Sequence, residues 1–92
     1  MKSKAALKRW HAAVRQRDDS TCQYPGCKVQ GEHLAAHHVY GRLGDLATDP
    51  DNGLYLCDRH HCLIEGSLTA FRGWFRETYP DRWERLKSKG LI

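Results

Sequence analysis

Cys57-Asp58-Arg59-His60-His61-Cys62 places four thiol or imidazole side chains within six consecutive residues. Upstream lie Cys22-Gln23-Tyr24-Pro25-Gly26-Cys27, the pair His37-His38, and Asn52. All four cysteines and five of the six histidines of this 92-residue chain fall between Cys22 and Cys62. Thiolate and neutral imidazole are the side chains best suited to zinc and similar ions. Such crowding predicts metal binding, and the order of the residues predicts two metal positions with different roles.

The first set is Cys22, Cys27, Cys57 and one of His60 or Cys62. Two knuckles distant in sequence, each supplying two ligands, are the plan of a closed, structural zinc site. Pro25-Gly26 favours a tight turn that brings Cys22 and Cys27 together. The fourth ligand stays open on spacing alone. His60 gives a tight knuckle with Cys57, whereas Cys62 gives a pair that mirrors Cys22 and Cys27. The second set is His37, His38, Asn52, His61 and Glu65. His61 and Glu65 lie four residues apart on an expected helix and share a face. Adjacent His37 and His38 on a strand point to opposite sides, so one can ligate an ion while the other acts as a general base near neutral pH. Asn52-Gly53 is a turn signal, and an Asn side chain can also tie one loop to another through backbone hydrogen bonds.

The size predicts one domain, residues 1–92, with a limited apolar core, for which a metal is a common staple. The net charge is +4, from 15 Lys+Arg against 11 Asp+Glu, which is compatible with a nucleic-acid partner. Four cysteines also admit two disulfides. Met1 to Val14 is basic and Ala-rich, without the apolar run of an export signal, so the expected compartment is the reducing cytoplasm. There clustered cysteines read as metal ligands. No apolar run approaches membrane-spanning length, and no membrane partner is expected.

The periodicity predicts a basic helix over 4–17, with Leu7, Trp10 and Val14 on one face and a basic remainder able to meet phosphates. A short strand is expected from His33 to Tyr40, a loop from Gly41 to Asn52, a second strand from Gly53 to Leu56, and a short helix from Cys57 or Asp58 to about Glu65. A C-terminal helical extension follows over 67–90. Its helix at 68–78 carries an apolar stripe of Leu68, Phe71, Trp74, Phe75 and Tyr79. Pro80 breaks that helix, and a last turn or two spans Asp81 to Lys87. The fold class is therefore α+β, a metal-stapled ββα core flanked by an N-terminal helix and C-terminal helices.

Over residues 20–66 the chain resembles the His-Asn-His (HNH) endonuclease family of ββα-metal fold, in its zinc-knuckle subgroup. The resemblance rests on Cys22 to Cys27, Ala36-His37-His38-Val39, Thr48-Asp49-Pro50-Asp51-Asn52 and Leu56-Cys57-Asp58-Arg59-His60-His61 together. The stretch from Trp74 to Trp83 is similar to small phage-encoded HNH proteins. Two residues depart from the family pattern. Glu65 stands where many relatives carry a further His, and Gly53 stands where an apolar residue usually follows the Asn.

The resemblance implies Cys22, Cys27, Cys57 and His60 as structural zinc ligands. It implies His37 and His61 as ligands of a catalytic divalent ion (Mg2+, Mn2+, Ni2+ or Zn2+); Glu65, where the family has His, can ligate as a third, or the site has two protein ligands completed by waters. His38 is implied as the general base and Asn52 as the tether that orients it. The implied activity is hydrolysis of DNA, mainly double-stranded, by a single-metal mechanism that leaves 5′-phosphate and 3′-hydroxyl ends, with the helix from Cys57 on the minor-groove side. Arg42, Arg59, Arg72 and Arg76 are candidate phosphate contacts by charge and position. A homodimer, or a larger phage or host complex, is compatible with so small a domain. The alternatives from other classes are a catalytically silent zinc module that binds nucleic acid and a zinc-stapled protein-interaction domain.

Overall fold

The computed structural model describes residues 2–92. Within them the chain forms an α+β fold with four α-helices and one two-stranded antiparallel sheet. Helix α1 spans Lys4–Arg17 and begins where the Ser3 hydroxyl accepts a hydrogen bond from the Ala6 N–H at 3.1 Å. Its apolar stripe buries Trp10 and Val14. Strand β1, Ala35–His38, pairs with β2, Gly53–Leu56, so that His37 lies opposite Leu54 and His38 opposite Gly53. Two short 3-10 helices, Gly44–Ala47 and Pro50–Asn52, lie between the strands. Helices α2 (Asp58–Glu65), α3 (Leu68–Thr78) and α4 (Pro80–Ser88) complete the chain. No described helix is long and apolar enough to cross a membrane.

The two faces of the sheet meet different partners because side chains alternate along a strand. On one face, His38 and Gly53 lie under α1. On the other, the ring of His37 meets those of His61 on α2 and Phe71 on α3. Leu54, Tyr55 and Leu56 of β2 are fully buried and join Trp10, Val14, Val39, Ile64, Phe75 and Leu86 in one core. The aromatics of α3 belong to that core through Phe71 and Phe75, while Leu68 stays 37% exposed.

Three expectations change in detail. The first strand is shorter than His33 to Tyr40, because side-chain partners take the backbone groups beyond its ends. The Leu34 N–H goes to the Tyr55 hydroxyl, and the Tyr40 N–H goes to Asn52 Oδ1. The segment from Gly41 to Asn52 is part-helical rather than plain loop. Pro80 does end α3, yet it also opens a nine-residue α4 rather than a turn or two. At the first helical position its missing N–H costs nothing.

The turn from Asp18 to Ser20 does more than end α1. Asp18 is buried, and its carboxylate accepts from the Tyr55 N–H at 3.0 Å and from Arg17 Nε at 2.9 Å, which fixes α1 to β2. At the far end of the chain, Arg85 of α4 makes two 2.9 Å bonds to the Asp51 carboxylate, and Lys89 reaches Asp49 at 2.7 Å. Arg17 at the end of α1 also donates to the Pro50 carbonyl at 2.6 Å, so both extensions brace the segment that leads into Asn52.

Gly53 permits the close approach of α1. A Cβ at this position would lie 2.3 Å from Val14 Cγ2 and 2.9 Å from Trp10 Cζ2. Gly53→Ala should destabilise the fold by about 1–3 kcal/mol through overpacking, read as a lower urea midpoint at unchanged slope.

Candidate functional site

Tyr24-Pro25-Gly26-Cys27 forms a turn in which the Cys27 N–H donates to the Tyr24 carbonyl at 3.0 Å, with Gly26 at φ +80°. This is the type II pattern, with Pro second and Gly third. The turn holds Cys27 near Cys22, and Cys57 and His60 come from the start of α2. The ligand atoms of Cys22, Cys27, Cys57 and His60 all lie within 4.8 Å of one another. His60 Nδ1 is 3.3 Å from Cys57 Sγ and 3.7 Å from Cys22 Sγ. Three thiols and one imidazole so gathered are the donor set of a structural zinc site, and the cluster could hold a zinc ion. Cys62, the alternative to His60, is exposed and lies outside the group.

The environment of the cluster suits a metal. Burial pushes the Cys22 thiol up to about 11, so without an ion it is a buried neutral group. The His60 backbone N–H pulls the Cys57 thiol the other way. The Tyr24 ring stacks on His60 at 4.1 Å and 3°, which fixes the imidazole plane. Such outer partners orient ligands.

The second set of side chains meets at one cavity. His37, His38, His61 and Glu65 line one cavity of about 300 Å³ together with Ala36, Gly41 and Arg42. His37 and His61 face each other with ring centroids 5.1 Å apart, and His61 Nε2 lies 3.3 Å from Glu65 Oε1. His37 is buried, and its Nε2 has no hydrogen-bond partner among the described residues. A buried, unpartnered imidazole nitrogen beside a second imidazole and a carboxylate fits a ligand role for these three side chains. Their ligand atoms are not drawn together to the 4.8 Å that unites the Cys and His cluster, the group of that kind among the described residues.

His38 is held on three sides. Its Nε2 lies 3.0 Å from the Ala47 carbonyl, which can only accept, so Nε2 carries the proton. Its Nδ1 then presents the lone pair, which accepts from Arg42 Nε at 3.2 Å. The Trp10 indole stacks on the imidazole at 3.8 Å and 8°, while Trp10 Nε1 donates to the Asp49 carbonyl at 2.8 Å. Burial lowers the His38 pKa, the Ala47 carbonyl opposes this, and the Arg42 charge adds to it. His38 is thus neutral near pH 7, with one defined acceptor nitrogen.

Asn52 is fully buried and fully bonded. Its Oδ1 accepts from the Tyr40 N–H at 2.8 Å, and its Nδ2 donates to the Gly41 carbonyl at 2.9 Å and the Leu46 carbonyl at 2.8 Å. Leu46 precedes Ala47, whose carbonyl holds His38. The side chain of Asn52 therefore fixes the peptide next to the one that holds the imidazole.

Of the four candidate arginines, Arg42 alone lines the histidine cavity. Arg72 donates to the Val39 carbonyl at 2.8 Å and lies over the Tyr40 ring. Arg76 lies over Trp83, 4.0 Å from the ring centroid. Arg59 is exposed on α2 beside the cluster. Sequence reasoning did not find the Trp10 stack. Gly53, a small residue where a larger one was expected, was the local sign of it.

Comparison with protein-family models, with curated proteins and with solved structures finds no match.

Two outcomes test these sites. Stripping the metal with a chelator should abolish cooperative thermal unfolding, because binding and folding free energy are shared, whereas Cys62→Ser should leave metal content unchanged. The second concerns His37, whose pKa burial and then the neighbouring His61, His38 and Arg72 lower from 6.5 to about 4. A group depressed on folding stabilises fully above its unfolded value and loses that contribution as pH falls through its folded value. The wild type should lose on the order of 3 kcal/mol more than His37→Gln between about pH 6.5 and 4, measured by urea unfolding across that interval.

Proposed function

We propose that this chain is a metal-dependent DNA endonuclease of the HNH type. The observation that carries the reading is the state of His38: a neutral imidazole with its proton pinned to the Ala47 carbonyl and its lone pair bonded to Arg42 Nε, on a cavity that His37, His61 and Glu65 also line. The sequence resemblance supports it, as does the buried unpartnered Nε2 of His37.

In this reading a water O–H breaks and its proton passes to His38 Nδ1, while the water oxygen forms a bond to phosphorus. The bond from phosphorus to the 3′ oxygen breaks, and that oxygen leaves and takes a proton from solvent. General-base help of this kind contributes about 10²–10⁴-fold. His37, His61 and Glu65 would hold a divalent ion, which would supply charge neutralisation for the phosphodiester. A carboxylate among its ligands favours a hard ion such as magnesium or manganese. Asn52 holds the Leu46 carbonyl, and through the next peptide the orientation of His38. Cys22, Cys27, Cys57 and His60 would hold zinc, which would fix the start of α2 where His61 faces His37.

A second reading, a zinc module that binds nucleic acid without cutting it, draws on one observation: His37, His61 and Glu65 are not gathered as closely as the zinc cluster. Supercoiled plasmid incubated with zinc-loaded protein in magnesium, manganese or nickel separates the two. The nuclease reading expects nicked or linear DNA, lost by at least about 100-fold in His38→Ala with zinc content intact. Binding without cleavage in every metal would sink it in favour of the second reading.

A further inference from the structure

Most arginines near the core are committed. Arg17 bonds the Asp18 carboxylate and the Gly53 carbonyl, Arg72 bonds the Val39 carbonyl, and Arg85 bonds the Asp51 carboxylate. Arg42 differs. It is exposed, no carboxylate pairs with it among the described residues, and its hydrogen bond goes to a neutral acceptor, His38 Nδ1, at 3.2 Å. That acceptor is the lone pair His38 needs as a base, since Nε2 is held by Ala47. Arg42 sits between Gly41 at φ +87° and Gly44 at φ +56°, both open to solvent where a side chain would start. Asn52 grips the loop on either side, at the Gly41 and Leu46 carbonyls. The loop base is therefore fixed, while the Arg42 side chain is exposed and held by the one bond to His38.

A guanidinium offers two parallel N–H bonds to a phosphate, a stronger and better matched interaction than one bond to an imidazole. We propose that Arg42 is an anion-responsive latch: it occupies the His38 lone pair in the resting protein and is drawn off by the phosphodiester of the nucleic acid, which frees His38 Nδ1 for water. The water-activating consequence rests on the nuclease reading, whereas the exchange of partners does not. Arg42 then reads the presence of a phosphate in the cavity and couples it to exposure of the base.

Diethyl pyrocarbonate acylates an imidazole nitrogen whose lone pair is free, so the rate of modification at His38, located by peptide mass spectrometry, reports the latch without any need for cleavage. The exposed His33 serves as internal reference. Because Arg42 is exposed, Arg42→Ala is expected to fold and to keep its metal. His38 should react about tenfold faster in Arg42→Ala than in the wild type, the scale of one charge-assisted hydrogen bond. Added inorganic phosphate should speed the wild type toward the variant's rate and leave the variant unchanged. Equal rates in the two proteins, or a wild-type rate that phosphate does not raise, would overturn the proposal. A chain that shows the predicted response yet cuts no plasmid keeps the latch and loses the nuclease reading. Cleavage accompanied by equal acylation rates does the reverse.

Discussion

The convergence of three thiols and one imidazole is the constraint on which the rest of the structure depends. Large apolar residues are sparse between residues 15 and 53, and the segment around Cys22 and Cys27 meets the sheet and α2 through this cluster, the Gln23 N–H bond to the Tyr55 carbonyl at 2.9 Å and the Tyr24 ring on His60. The cluster joins the two knuckles directly. Because Cys57 and His60 occupy the first turn of α2, the same contact sets the rotation of that helix. His61 and Glu65 then face β1, and His61 meets His37 with no further device. Tyr24 stacked on His60 and the type II turn at Pro25-Gly26 are the local supports of this arrangement.

A second constraint acts on the opposite face of the sheet. Asn52 makes all three of its hydrogen bonds to the segment from Tyr40 to Leu46, which carries Arg42 and leads directly into Ala47, whose carbonyl holds His38. Buried polar groups are stable only when fully paired, so such a side chain specifies one loop conformation. Trp10 closes the remaining side of His38, and Arg85 and Lys89 brace the acidic residues before Asn52. The flanking helices are thus part of the histidine site, although the motif residues lie between them.

Much of this was legible in the sequence because it is local. The bounds of α1 follow from periodicity, and β2 opens at Gly53, directly after Asn52. The opposite directions of His37 and His38 follow from the two-residue period of a strand. The paired knuckles follow from spacing, although spacing alone left His60 and Cys62 open, and only the position of Cys62 on the exposed side of α2 separates them. What escaped is contact between distant segments. Nothing near Trp10 announces a stack on a residue 28 positions away. Nothing near Asp18 announces its bond to Tyr55, and the partner of Arg42 depends on a loop whose path is set by Asn52. Gly53 shows the limit well: the residue stood out in the sequence, but its reason, the close approach of Val14 and Trp10, exists only in the fold.

The most direct test of the central claim is X-ray absorption at the zinc edge of the metal-loaded protein. The account predicts a four-coordinate ion with three sulfurs at about 2.3 Å and one nitrogen at about 2.0 Å. A shell of four sulfurs would put Cys62 in place of His60 and turn α2 away from the orientation that brings His61 to His37. A shell of nitrogen and oxygen alone would contradict the cluster itself.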